Sequence, residues 1–175
     1  MSKSLKAITE VSFIPLTEHW VPLLWPLIEQ SEMDIPKSWP KTHDELVTWA
    51  LGTRKQQTIA DRSIILIEDE VQGEFLPVGL ITGDLVRGIN SDNFPGAKLG
   101  DVNIAYLVFG KYRGQGSATQ ALNQVRKAWI EDGKHPVLRI ATDNLASQKV
   151  AENAGFTYVE TTTISERDLK LYRSK

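Results

Sequence analysis

"YRGQGSATQAL", Tyr112 to Leu122, decides how the rest of this chain is read. Upstream, "DVNIAYLVFG" (Asp101 to Gly110) has the apolar run of a buried strand. Downstream, "SATQALNQVRKAWIEDG" places Ala118, Ala121, Leu122, Val125 and Trp129 on one helical face, with Gly133 as its stop. Gly114 and Gly116 therefore make a strand-to-helix turn. Such a turn presents bare backbone N–H groups at the positive end of a helix dipole, which favours an anion, phosphate above all. Lys111 and Arg113 add charge at its entrance. The stretch lacks the Lys-Ser/Thr pair of a nucleotide-triphosphate loop, and no ribose-binding pattern follows it, which disfavours triphosphates and NAD. Taken alone, the two glycines are equally consistent with a tight turn that binds nothing.

Working outward, "HPVLRIATD" reads as a strand, "NLASQKVAENAG" as a short helix stopped by Gly155, and "FTYVETTTI" and "DLKLYRS" as closing strands. On the other side, "SIILIEDE" and "FLPVGLITGDL" form a hairpin, with Pro77 placing the second strand at an edge or after a bulge. "VRGINSDNFPGAKLG" is a surface loop. Nearer the start, "VSFIPL" is a strand, and Thr17 caps a helix "TEHWVPLLWPLIEQ" that Pro22 and Pro26 shorten or kink. A loop, "SEMDIPKSWP", precedes a second helix in which Thr42 and Glu45 have capping-box spacing. Strand and helices, then a run of strands, then strand-helix-strand-helix-strand: the order predicts a mixed sheet covered by helices.

The 175 residues predict a single domain, 1–175. A net charge of -2 gives no general attraction to nucleic acid or anionic membrane, so charged ligands must be held locally. The absence of cysteine excludes thiolate metal sites and an acyl-cysteine intermediate. His19, His43 and His135 lack metal-ligand spacing, so no metal is expected. No signal-peptide or membrane-spanning run is present, which makes cytoplasmic the default expectation.

With these blocks in order, the chain resembles the GNAT superfamily of acyl-CoA-dependent N-acyltransferases. The acyl-CoA motif Gln/Arg-x-x-Gly-x-Gly/Ala is matched by Arg113, Gly116 and Ala118, and "NLASQKVAENAGF" (Asn144 to Phe156) by the family's Asn-x-x-Ser and Gly-Phe block. Asn144 with Ser147 is similar to the branch that acetylates ribosomal-protein N-termini. The resemblance implies an α+β, GNAT-like fold: a mixed, mostly antiparallel central sheet flanked by helices, with a splayed strand pair holding acyl-CoA. It implies that the backbone of Tyr106, Leu107 and Val108 runs beside pantetheine, and that Arg113, Gly114, Gln115, Gly116, Ser117, Ala118 and Thr119 hold the pyrophosphate. Asn144 would bond the pantetheine arm, and Ser147 would protonate the departing thiolate, the tyrosine some relatives use being Ala151 here.

The expected activity is transfer of acetyl from acetyl-CoA directly to a primary amine, on a small molecule or a polypeptide N-terminus, by a monomer or homodimer. The alternative is a non-catalytic acyl-CoA-binding module. Relatives often carry Glu where this chain has Asn103, and the base on the following strand corresponds to Arg139, so no general base stands out. Asp101, Asp84 and Glu68 are candidates on neighbouring strands. Glu29, Glu32 and Asp34 beside Trp39 lie where the family walls its acceptor site, though a solvated loop accounts for them as well. Trp20, Trp25 and Trp49 read as core.

Overall fold

The computed structural model describes residues 10–31, 39–55, 59–68 and 72–175. Glu32 and Asp34 lie outside them. Its strands are β1 (Ser12–Pro15), β2 (Arg62–Glu68), β3 (Phe75–Leu85), β4 (Asp101–Val108), β5 (His135–Ala141), β6 (Phe156–Ile164) and β7 (Arg167–Ser174). They form one open sheet in the order β1-β2-β3-β4-β5-β7-β6. The helices are α1 (Val21–Glu29), α2 (His43–Leu51), α3 (Ser117–Glu131) and α4 (Leu145–Asn153). β1 with β2, β5 with β7 and β6 with β7 pair antiparallel, whereas β4 and β5 are parallel and need the crossover that α3 provides. This is the expected α+β arrangement.

The chain groups into two compact units, Met1–Ile81 with Tyr106–Ala121, and Thr82–Ala105 with Leu122–Lys175. In the first, Leu16, Val21, Leu24, Ile28, Leu46, Ile64 and Ile65 are buried. Thr17 does not cap α1: its side chain makes no cap bond, and it leads into a 3-10 turn, Glu18–Trp20. Pro22 then occupies the first turn of α1, where an N–H has no intrahelical acceptor to lose. The capping box of α2 forms as expected: Glu45 N donates to Thr42 Oγ1 at 3.2 Å, and Thr42 N to Glu45 Oε2 at 3.2 Å.

Pro77 does not mark an edge, because β3 is an interior strand. The backbone bond from Phe109 N to Val78 O, 2.8 Å, joins the end of β4 to the residue after Pro77, so the proline enters the strand where its missing N–H is not needed on that side. The tryptophans are also redistributed. Of the four N-terminal tryptophans Trp39 is the buried one, its ring tilted against that of Trp49 with centroids 5.2 Å apart, while Trp20, Trp25 and Trp49 are half-buried.

In the second unit, Val102, Ile104, Leu122, Val125, Trp129, Val137, Leu138, Ala151, Phe156, Leu171 and Tyr172 are buried. Gly83 is required there, since a Cβ would enter the Trp129 indole. Ser165 and Glu166 form the two-residue turn from β6 to β7, with φ of 47° and 65°. Both lie in the left-handed region that a type I′ hairpin demands and that Asn-Gly adopts with less strain. The double replacement Ser165→Asn, Glu166→Gly is expected to stabilise by about 1 kcal/mol, or roughly 2–4 °C in Tm, measurable by calorimetry.

Candidate functional site

In the first unit, the end of β4 is irregular. A Cβ on Gly79 would meet the Leu107 carbonyl oxygen, which places that carbonyl against the face of β3 instead of in line with a regular ladder. Tyr106 there is half-buried, and Leu107 and Val108 are buried. A 3-10 turn, Gly110–Tyr112, follows. The Arg113 side chain folds back, its Nε donating to Val108 O at 3.1 Å, and Gln115 Nε2 donates to Lys111 O at 3.1 Å. Arg113 therefore braces the turn against the strand, a role beyond the charge expected of it.

Gly114 and Gly116 both have positive φ, 72° and 90°. A Cβ on Gly114 would meet nothing within 4 Å, so this turn faces open space. The helical ladder of α3 starts with Gln120 N to Gly116 O at 3.1 Å, leaving the amides of Ser117, Ala118 and Thr119 ahead of it. Ser117 is buried, while Ala118 and Thr119 are half-buried. The arrangement can receive an anionic oxygen cluster on backbone donors.

In the second unit, the parallel ladder of β4 and β5 runs from Asp101↔His135 to Ile104↔Leu138. β5 continues through Arg139 to Ala141 and turns into α4. Asn144 caps that helix, its Oδ1 accepting from Ser147 N at 3.1 Å. Ser147 is half-buried, and its hydroxyl takes no part in the cap. Gln148 ties the turn together: it is 6% exposed, its Nε2 donates to Ala141 O at 3.0 Å and Thr142 O at 2.9 Å, and its Oε1 accepts from Lys170 Nζ at 2.8 Å. A buried amide with all these partners rigidifies the helix start. The sequence offered no signal for it, because a glutamine near a helix start reads as solvated.

The candidate bases fare differently. Asp101 is 2% exposed; its carboxylate accepts from Lys98 N at 2.6 Å and pairs with Arg173 Nη1 at 2.8 Å, which makes it a clamp on the loop before β4. Glu68 is exposed at the end of β2, and Asp84 is exposed near the end of β3. Asn103 accepts at Oδ1 from Arg139 Nε at 3.2 Å, so the two positions at which the resemblance implied a base are bonded to each other. His19, His43 and His135 are exposed, and among the described residues no group of three His, Asp or Glu is placed to hold a metal. No helix among the described residues is long and apolar enough to cross a membrane.

An open sheet with a glycine turn between the fourth strand and the third helix makes this an α+β fold with an anion-receiving turn at one helix start. The family model for the acetyltransferase (GNAT) domain matches residues 12–157, and the chain belongs to that family. An aminoglycoside acetyltransferase solved with coenzyme A and kanamycin superposes with a TM-score of 0.71 at 18% identity, covering 94% of both chains. An acetyl transferase from Salmonella typhimurium that modifies the N-terminal serine of ribosomal protein L7/L12 gives 0.70 at 18%, covering 97% of this chain and 96% of that one. A GNAT-family acetyltransferase from Bacillus anthracis gives 0.68 at 16%, covering 97% and 96%. At these identities the likeness is one of fold. No curated protein matches the chain by sequence.

Proposed function

We propose that the protein transfers acetyl from acetyl-CoA directly to a primary amine, without an acyl-enzyme. The observation that carries this reading is the pair of positive-φ glycines, 114 and 116, opening α3 in a chain of the GNAT family. Bound acetyl-CoA supplies the activated thioester. The pyrophosphate is assigned to the amides of the turn from Gly114 to Thr119 and the pantetheine arm to the strand backbone at Tyr106, Leu107 and Val108, which would pair with it as an added strand does. Asn144 retains its Nδ2 donor for the pantetheine amides, since only its Oδ1 is spent on the cap. Ser147 is assigned the proton for the leaving thiolate.

Direct transfer fits a chain without cysteine, where rate comes mainly from placing the amine against a polarised carbonyl. An α-amine, with a reference pKa of about 8 against about 10.4 for lysine, asks least of a site without an evident base. Solved neighbours include acetyltransferases of a protein N-terminus, of aminoglycosides and of spermidine, all of them amines. Thiol release from acetyl-CoA against a panel of amines tests the reading. Turnover with an acceptor supports it; tight CoA binding, seen by calorimetry, without turnover on any acceptor overturns it in favour of a binding module.

A further inference from the structure

Helix α4 is docked differently along its two halves. Ala151 and, just past the helix, Ala154 are buried, so small apolar contacts hold its second half. In the first half Leu145 is 70% exposed, Ala146 is exposed and Ser147 is half-buried. That leaves Gln148 as the buried anchor of the turn carrying Asn144 and Ser147. A methionine there would fill a similar volume without the cost of burying an amide, but it would hold the helix without fixing its direction. Gln148 instead spends both Nε2 hydrogens on the end of β5, at Ala141 O and Thr142 O, and its Oε1 on Lys170 Nζ of β7. Turned over, the amide would set Oε1 against two carbonyl oxygens, so one orientation alone is satisfied.

Lys170 is the distant member of this lock. It stands on β7 between Ile140 of β5 and Thr161 of β6, and its half-buried side chain also places Nζ 5.8 Å from the centroid of the Tyr158 ring. An ammonium donating to an amide oxygen makes a charge-assisted bond, and it polarises the amide so that the two N–H bonds to β5 strengthen with it. Ser147 precedes Gln148 in the chain, and its own N–H is held by the Asn144 cap. Whatever fixes Gln148 therefore fixes the direction in which Ser147 carries its hydroxyl.

We propose that Lys170 is a positioning residue for the Ser147 hydroxyl, acting through Gln148. This rests on the acetyl-transfer reading for what that hydroxyl does, but the placement of the turn is measurable without turnover. The experiment compares the wild-type protein with Lys170→Met, which keeps the stem and deletes the donor, and with Lys170→Arg, which keeps a charged donor. Lys170→Met is also made in the Ser147→Ala background. Hydrogen exchange followed by NMR reads the N–H of Ser147 against those of Val150 and Ala151 in the second half of α4. kcat, KM for acetyl-CoA and Tm are measured for every variant.

In Lys170→Met, exchange at Ser147 is expected to quicken roughly tenfold while Val150 and Ala151 hold, and kcat to fall roughly tenfold with KM little changed, as loss of one charge-assisted bond warrants. Lys170→Arg should recover most of both. In the Ser147→Ala background Lys170→Met should lower kcat no further, because the residue through which it acts is gone. Exchange at Ser147 that stays put, or that quickens equally along the whole helix, overturns the inference, the second outcome being that of a merely structural lysine. A fall in kcat that persists undiminished without the Ser147 hydroxyl overturns it too. Should amines turn over with kcat unchanged in Lys170→Met, the inference falls and acetyl transfer stands. Should Ser147 exchange quicken as expected while no amine turns over even in the wild type, the placement of the turn by Lys170 stands and acetyl transfer falls.

Discussion

Gly116→Val is expected to weaken CoA binding on the order of a hundredfold while the protein still folds. Gly116 has φ of 90°, a region in which a β-branched side chain is a severe outlier. Moving the turn out of that conformation, or holding valine in it, costs about 2–3 kcal/mol, and a loss of that size in the binding conformation is on the order of a hundredfold in Kd. The residue is exposed, so the cost falls on the turn and not on the core. Two companions grade the effect. Gly114→Ala meets nothing within 4 Å, so only its φ of 72° is strained and about 1 kcal/mol is at stake. Arg113→Ala removes the Nε bond to the Val108 carbonyl, worth about 1 kcal/mol, or roughly fivefold in affinity if the turn loosens with it. Calorimetry with CoA reads all three. Unchanged affinity in Gly116→Val removes the pyrophosphate from this turn.

The glycine turn was legible because the requirement is local: strand, two glycines and an amphipathic helix sit within one short stretch, and each has its own signal. The same holds for the Thr42–Glu45 capping box. What the sequence hid depends on partners far along the chain. Thr17 has the chemistry of a cap, yet Glu18–Trp20 take a 3-10 turn, so helix α1 begins four residues beyond it. Pro77 looked like an edge marker because its strand's neighbours are not local facts. Helical spacing gave the burial of Trp129 but not that of Trp39, which lies outside any helix and packs against Trp49.

In the candidate site, residue types were visible but their partners were not. Asp101 reads as a strand-end carboxylate until Arg173, at the far end of the chain, closes on it. A general base must reach its proton, and the Asp101 carboxylate is buried and occupied by a guanidinium and a backbone amide. Asn103 and Arg139 lie thirty-six positions apart, and only the parallel β4–β5 pairing makes them one unit. Gln148 likewise acquires meaning only when β5 and β7 flank the start of α4.

Ser147→Ala is expected to lower kcat about a hundredfold, the low end for loss of a general acid, with acetyl-CoA affinity and melting temperature unchanged. The competing explanation, that this serine caps the helix, makes the opposite forecast: stability falls and kcat holds. The geometry separates them beforehand. The cap is Asn144, whose Oδ1 accepts from the backbone N–H of Ser147, and alanine at 147 keeps that N–H. Alanine is also a better helix former than serine, so α4 should not weaken. Asn144→Ala supplies the contrast, because it deletes the cap itself and should cost about 1 kcal/mol, or roughly 2–4 °C in Tm. Gln148, locked to Ala141, Thr142 and Lys170, keeps the helix start in place in both variants, so a kcat change in Ser147→Ala reports the hydroxyl and not a displaced helix. Thiol release at saturating acetyl-CoA and acceptor gives kcat, and calorimetry gives Tm. Normal turnover in Ser147→Ala takes the hydroxyl out of the chemistry and leaves the thiolate to be protonated by solvent or by the ammonium of the tetrahedral intermediate, formed when the neutral amine adds to the thioester carbonyl.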